Sequence, residues 1–214
     1  MDNLIYTLFV SIFIPILLMA CLIEKKARQP VVFFLIGIFV SVFASEVNAY
    51  LRNILSMSTF ETTIRVTPIS EELLKAFPIL FFATVFTAKK EALFTASMAV
   101  GIGFAVLENA FYLLNSSSYN MIDAVIRAFG AGLMHGMCTL LVGVGILFVK
   151  KKKKLFIVGT FAMLSTAITY HGIYNMLVQS DYRAIGYLLP IATYIPFVVW
   201  RIKKYKLNQA KFTQ

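Results

Sequence analysis

Acidic and imidazole side chains occur within long apolar stretches of this 214-residue sequence. An ionisable residue in a membrane helix is costly, and it usually faces the interior of the helix bundle and carries function. Carboxylates and imidazoles that meet in a partly dry cavity can activate a water molecule and stabilise charge on an attacked carbonyl. The sequence therefore predicts hydrolytic chemistry at five residues: Glu71, Glu72, Glu108, His135 and His171.

The two adjacent glutamates begin a predicted helix. Thr67 can cap this helix and Pro68 suits its first position. Lys75 follows Glu71 by four residues and Glu72 by three, so the three charged side chains share one helix face. Without other information, a salt bridge at the end of the helix would explain this pattern as well as catalysis does.

Both histidines of the chain have a hydrogen-bonding side chain one helical turn away. Thr139 follows His135 by four residues, and Asn175 follows His171 by the same interval. Neither Ser70 nor Cys138 is placed as a convincing nucleophile, so we expect no covalent intermediate. We favour a glutamate mechanism that requires no cofactor. The alternative is zinc, held by the two histidines with Glu72 or Glu108.

The helices that must position these residues are membrane spans. Hydrophobic residues make up 59% of the chain and charged residues only 14%, which excludes a water-soluble globular domain. Apolar runs of spanning length predict an all-α, polytopic membrane helix bundle. We expect about seven transmembrane helices, at residues 4–23, 31–51, 68–88, 92–114, 122–149, 155–177 and 184–200.

The distribution of basic residues predicts the orientation of the bundle in the membrane. Fifteen of the twenty lysines and arginines fall in four places on one side: residues 25–28, 89–90, 150–154 and the tail after Trp200. Arg52, Arg65 and Arg183 fall on the other. Because basic loops stay in the cytoplasm, we expect the N-terminus outside and the C-terminus cytoplasmic. The net charge of +10 therefore indicates no nucleic-acid partner.

With this orientation, the five ionisable residues share one depth. Counting along each span at 1.5 Å per residue places all of them within roughly 5 to 9 Å of the outer membrane boundary. Gly101 with Ala105, and Gly132 with Gly136, are spaced for close helix packing that would bring Glu108 and His135 together. Glu46 and Asn48, on the second span, could support the site residues from behind or reach the outer surface, and we favour the outer surface.

Four sequence motifs occur in order on four consecutive predicted helices. They are Glu71-Glu-Leu-Leu-Lys75 (EExxK), Gly103-Phe-Ala-Val-Leu-Glu108-Asn109 (GFAxxEN), His135, and His171-Gly-Ile-Tyr-Asn175 (HGxxN). Their order and spacing resemble the PrsW family of bacterial intramembrane proteases, distant relatives of the CAAX-processing and bacteriocin-immunity membrane proteases. The resemblance covers residues 67–177, the motif-bearing core of a single predicted protease domain, 1–214.

The resemblance implies a multi-pass enzyme of the bacterial plasma membrane that cuts a single-span membrane protein near the outer face. The typical substrate is an anti-sigma factor, cut first in a stress-signalling cascade. Glu71, Glu72 and His135 would form the catalytic core, with one glutamate as base, while His171 and Asn175 stabilise the oxyanion. Residues 52–67 would be the candidate lid or substrate contact, unless they are an ordinary loop.

Two other classes of function also concentrate ionisable residues in a helix bundle. A proton-coupled transporter would need a polar path through both halves of the membrane, but the inner halves here are mostly apolar, as at residues 79–82 and 146–149. A non-catalytic scaffold or receptor would not need the intact glutamate pair and both histidines. A one-sided site therefore favours a hydrolase.

Overall fold

The part of the chain that the structure describes forms seven long helices, the number predicted. The computed structural model describes residues 2–86, 89–115, 121–151 and 155–212, and every regular element in these ranges is helical. The helices are α1 (Asp2–Leu22), α2 (Lys25–Ile54), the short α3 (Thr59–Glu61), α4 (Thr67–Val85), α5 (Lys90–Asn115), α6 (Met121–Lys151), α7 (Ala162–Val178) and α8 (Arg183–Phe212). π-helical turns at Thr62–Val66 and Phe156–Phe161 precede α4 and α7.

Within the described residues, four segments are long and apolar enough to cross a membrane by length and composition: Leu4–Leu22, Ala27–Ile54, Lys90–Asn115 and Ala124–Phe148. α4 falls outside this set because its 19 residues include Glu71, Glu72 and Lys75, and α7 because it has only 17 residues. Large apolar side chains on the outside of the bundle, such as Leu22, Phe77 and Val158, suit lipid contact. The orientation of the bundle stays a prediction.

Helix boundaries differ from the predicted spans mainly at the two basic ends. α2 begins six residues early, at Lys25, and α8 continues through the basic tail to Phe212. Lysine and arginine are good helix formers, so the polypeptide stays helical after the apolar run has ended. Lysines 152–154 of the predicted basic anchor, and residues 87–88 of the third span, lie outside the described residues.

α5 lies at the centre of the bundle, where it packs most extensively against α2 and α6. At Gly101, an added Cβ would lie 2.8 Å from the Cα of Gly136, so the two backbones meet closely there, as predicted. The prediction is wrong for Gly132, because a Cβ at that position would meet nothing within 4 Å. Gly132 lies one helical turn from Gly136 on the same face of α6, but the described part of α5 does not approach it closely enough to fill that space.

Candidate active site

Helices α4 to α7 each deliver at least one ionisable side chain to one region inside the bundle. Glu72, Lys75 and His135 are 0% exposed, His171 is 1% exposed and Glu71 is 5% exposed. The two imidazole rings have their centres 5.0 Å apart and are nearly perpendicular. The structure thus brings together the five residues that the sequence singled out, with Lys75 among them.

Glu72 binds two partners through one oxygen. Its Oε1 accepts a hydrogen bond from the Lys75 ammonium at 2.6 Å and lies 2.8 Å from Nδ1 of His171. A carboxylate can only accept, so we assign the His171 proton to Nδ1. This leaves Nε2 of His171 as an acceptor, 3.9 Å from Oε2 of Glu71.

His135 is held between a cation and a carboxylate. Its Nδ1 lies 2.9 Å from the Lys75 ammonium, and its Nε2 lies 2.6 Å from Oε2 of Glu108. Because an ammonium only donates, we assign the ring proton to Nε2, which donates to Glu108. The ammonium also lies 4.5 Å from the centre of the Phe104 ring, an additional favourable contact for a buried cation.

Glu71 has one engaged oxygen and one without a partner. The Asn48 amide donates to its Oε1 at 3.2 Å, and the Ser70 hydroxyl donates in turn to Asn48. Oε2 of Glu71 and Oε2 of Glu72 are buried without a hydrogen-bond partner among the described residues. Buried polar atoms are rarely left in this state, so these two oxygens mark where a further polar group would bind.

Two small polar cavities reach this cluster from the α3 end of the bundle. One, of about 200 Å³, is lined by Glu71 and Glu108. The other, of about 160 Å³, is lined by Glu108 and His135. Thr59 and Thr63 border both cavities, and each cavity is large and polar enough to admit water.

Asn175 lies beside the second cavity and contacts the segment that covers it. Its amide donates to the backbone carbonyl of Thr63 at 3.0 Å. The oxyanion role that the resemblance implies for Asn175 stays a prediction. Gly172, one position after His171, also approaches this segment, since an added Cβ would lie 3.7 Å from the Ile64 carbonyl.

Sequence reasoning missed two contributors to the site. Asn48 was expected at the outer surface, but it donates to Glu71, while Glu46 is the exposed residue and accepts a hydrogen bond from Tyr6. Arg127 was not proposed as part of the site, yet it is buried, with Nη2 3.8 Å from Oε1 of Glu108. Residues two apart on a helix point in nearly opposite directions, so the position of Asn48 relative to Glu46 could have indicated that only one of them reaches the outer surface.

One compact set of side chains could hold a metal ion. Glu71, His135 and His171 each offer one ligand atom within 4.8 Å of the others. Each histidine donates its other ring N–H to a glutamate, the arrangement that orients metal-binding imidazoles. The sequence predicted Glu72 or Glu108 as the carboxylate ligand, but in this set the carboxylate is Glu71.

These motifs and their geometry agree with the comparison to protein families. The family model described as PrsW family intramembrane metalloprotease matches residues 25–201. The chain belongs to this family. The resemblance predicted from the four motifs is thereby confirmed, and the match extends beyond them to include α2 and the apolar part of α8. No curated protein and no solved structure matched the chain.

Membership in the PrsW family makes the chain a membrane-embedded peptidase. Its substrate is accordingly a protein in the membrane, and its surroundings are the lipid bilayer. The match begins at residue 25, so α1 lies outside the matched region.

Proposed function

We propose that this PrsW-family protease hydrolyses a peptide bond of a single-span membrane protein at the cluster formed by Glu71, His135 and His171. The observation that carries the proposal is Oε2 of Glu71, which is buried without a hydrogen-bond partner among the described residues and lies 3.9 Å from Nε2 of His171. A water molecule between a carboxylate and an imidazole is placed to lose a proton as it attacks a carbonyl. We take the whole chain, 1–214, to be one protease domain.

In the mechanism without a metal, Glu71 accepts the proton of the attacking water. Glu71 is a better candidate than Glu72, because Oε1 of Glu72 is already bonded to Lys75 and His171. Asn48 holds Glu71 in place through its other oxygen. Glu108 fixes the ring of His135, so the imidazole keeps its orientation as charge develops nearby.

The oxyanion would be stabilised by Asn175 and His171, as the resemblance implies. Because Nε2 of His171 is an acceptor in the tautomer assigned above, it would donate to the oxyanion only after taking up a proton. Asn175 lines the same cavity as His135, which supports a place near the reacting carbonyl. One of its two amide N–H groups is bonded to the Thr63 carbonyl, which leaves the other to donate to the oxyanion.

The donor set also fits a divalent metal such as zinc. Glu71, His135 and His171 would hold the ion, and the partnerless Oε2 of Glu71 supports this assignment. When bound, such an ion would polarise the substrate carbonyl and lower the pKa of a coordinated water. The Lys75 ammonium lies against Nδ1 of His135, so it would compete with a cation for that ligand atom.

A chelator experiment separates these two mechanisms. The purified protein is reconstituted with a single-span substrate, treated with a strong chelator and assayed for cleavage, with zinc added back to half of each sample. Undiminished cleavage after chelation supports Glu71 as the proton acceptor. Loss of cleavage that zinc restores shows instead that the enzyme requires a metal, for which Glu71 is the proposed carboxylate ligand.

For the biological substrate we propose an anti-sigma factor of a bacterial plasma membrane, cut near the outer face as the first step of stress signalling. The two polar cavities support this position, because they lie at the α3 end, which the lysine distribution assigns to the outside. Mass spectrometry of the products should place the cut within the outer third of the substrate helix or just beyond it. A cut on the lysine-rich side would refute this position without refuting proteolysis.

A further inference from the structure

A large apolar cleft lies away from the active site, in the lysine-rich half of the bundle. Its volume is about 770 Å³, and its walls are α1 and α8, with α2, α5 and α6 behind them. The lining includes Met19 on α1, Phe34 on α2, Phe94 and Met98 on α5, and Val198 on α8. None of the five ionisable residues of the active site lines this cleft.

The cleft extends through about one leaflet. On α5 its lining runs from Phe94 to Ile102, a rise of about 12 Å at 1.5 Å per residue. Beyond that level, α1 packs against α2 and α5 through Phe13, Ile38 and Leu107, which closes the cleft. A spanning helix needs about 30 Å of apolar surface, whereas an acyl chain needs only about half of that.

Cations surround the lysine-rich end of the cleft. The Lys90 ammonium lies 5.2 Å from the ring centre of Phe94, which lines the cleft. Lys203 is exposed and directly follows Ile202, another lining residue. Among the side chains that the structure describes near this end, the cations Arg28, Lys89, Lys90 and Lys203 outnumber the acidic Glu24 and Glu91.

We propose that this cleft binds one acyl chain of an anionic phospholipid from the leaflet on the lysine-rich side, with Lys90 and Lys203 at its headgroup. The apolar lining suits an acyl chain. The length of the cleft, about one leaflet, suits a lipid that enters from one side of the membrane, and the lysines suit an anionic headgroup. A second copy of the protein in the same orientation would bring its own excess of cations to Lys90 and Lys203, which like-charge repulsion disfavours.

The test is lipid binding by native mass spectrometry. The purified protein in a delipidating detergent receives phosphatidylglycerol or phosphatidylcholine with identical acyl chains. The wild type should retain one phosphatidylglycerol in preference to phosphatidylcholine. Lys90→Gln and Lys203→Gln should each lower this preference about fivefold, since one cation near a membrane surface contributes that much. Arg183→Gln, at the opposite end of α8, is the matched control and should leave the preference unchanged.

A second variant tests the acyl-chain pocket itself. Thr95 is an exposed lining residue, so Thr95→Trp fills the cleft without entering the protein core. It should reduce binding of both lipids about tenfold or more, while Val85→Trp, at an exposed position on α4, should not.

The melting temperatures of both tryptophan variants show whether they remain folded. The proposal is overturned if the wild type retains both lipids equally, or if Thr95→Trp binds phosphatidylglycerol as the wild type does. It is also overturned if Thr95→Trp dissolves a dimer and leaves lipid binding intact, because a second copy would then cover the cleft.

Discussion

Glu72 has a structural role that its neighbour Glu71 lacks. Its Oε1 joins the Lys75 ammonium of its own helix to the His171 ring of α7, and all three side chains are almost completely buried. A buried ion pair is weak evidence of stabilisation, but removal of one partner leaves a buried charge without compensation. The two glutamates should therefore respond differently to the same substitution.

We predict that Glu72→Gln destabilises the fold by about 3 to 5 kcal/mol, the usual cost of breaking a buried pair. Stability would be measured by unfolding in a detergent titration. Lys75→Met added to Glu72→Gln should recover much of the loss, because the unpaired ammonium is then gone. Glu46→Gln, at an exposed carboxylate, is the control and should unfold like the wild type. Equal stability of Glu72→Gln and wild type would contradict this account of the pair.

For single residues, the sequence predicted which side chains belong to the site more easily than it predicted which of them contact one another. Glutamates and histidines are costly in a membrane, so their presence alone indicated the site. The contact between Lys75 and His135 depends on the rotation of α4 relative to α6, which no local pattern records. The contact between Asn48 and Glu71 was not predicted, because an amide in a membrane helix can serve a buried site or the outer surface equally well.

The crossing of α5 and α6 determines whether His135 reaches Glu108. At this crossing the Gly101 position faces the backbone of His135 and Gly136, with no room for a side chain. Gly132, one turn away from Gly136 on α6, has open space instead. Gly101 and Gly132 therefore form a matched pair for substitution by alanine.

We predict that Gly101→Ala destabilises the protein by about 1 to 3 kcal/mol, because the added methyl group forces the two helices apart. Cleavage activity should fall with it, since Glu108 and His135 lie on those helices. Gly132→Ala should instead be neutral or stabilise by up to about 1 kcal/mol, through its better helix propensity. The unfolding titration measures both, and equal effects would argue against a close crossing at Gly101.

The segment before α4 covers the site through backbone contacts. Ser58 caps α3 in a reciprocal pair with Glu61, and hydrogen bonds from the backbone and hydroxyl of Ser58 lower the pKa of that carboxyl. The Thr63 carbonyl accepts the Asn175 amide, and Thr62 is buried. Together these contacts order a stretch that the sequence predicted only as a lid or a connecting loop.

We predict that Asn175→Ala loosens this segment. A cysteine introduced at buried Thr62 should react at least several-fold faster with a water-soluble maleimide in the Asn175→Ala background than in the wild-type background. Gln179→Ala is a matched control, since its amide donates to the Asn175 carbonyl and not to the segment. Unchanged labelling in the Asn175→Ala background would mean that this hydrogen bond does not hold the segment closed.

The lengths of the apolar runs predicted the seven long helices well, whereas the more polar segments between them were predicted less well. Each of the seven long helices overlaps a predicted span, because burial in lipid demands both apolar side chains and internally bonded backbone. The π-helical turns at Thr62–Val66 and Phe156–Phe161 were not predicted. They depend on packing between helices, as at Gly145, where an added Cβ would lie 2.9 Å from the Gly159 carbonyl.

For the whole molecule, the distribution of lysines predicts orientation. In a variant whose native cysteines are replaced, Ser180→Cys should react with a membrane-impermeant maleimide on intact cells. Lys203→Cys should react only after the cells are permeabilised, because basic segments stay on the cytoplasmic side. The opposite pattern would reverse the predicted topology and place the polar cavities on the inner face.

The fold and the site converge on one claim, that Glu71 and its histidine partners hydrolyse a peptide bond within the membrane. The most direct test is the rate at which purified protein in liposomes cleaves a single-span substrate. Wild type and Glu46→Gln should cleave at similar rates, while Glu71→Gln and His171→Ala should each be slower by a factor of about 1,000 or more, with melting temperatures showing that they remain folded. Cleavage by folded Glu71→Gln at the wild-type rate would contradict the account.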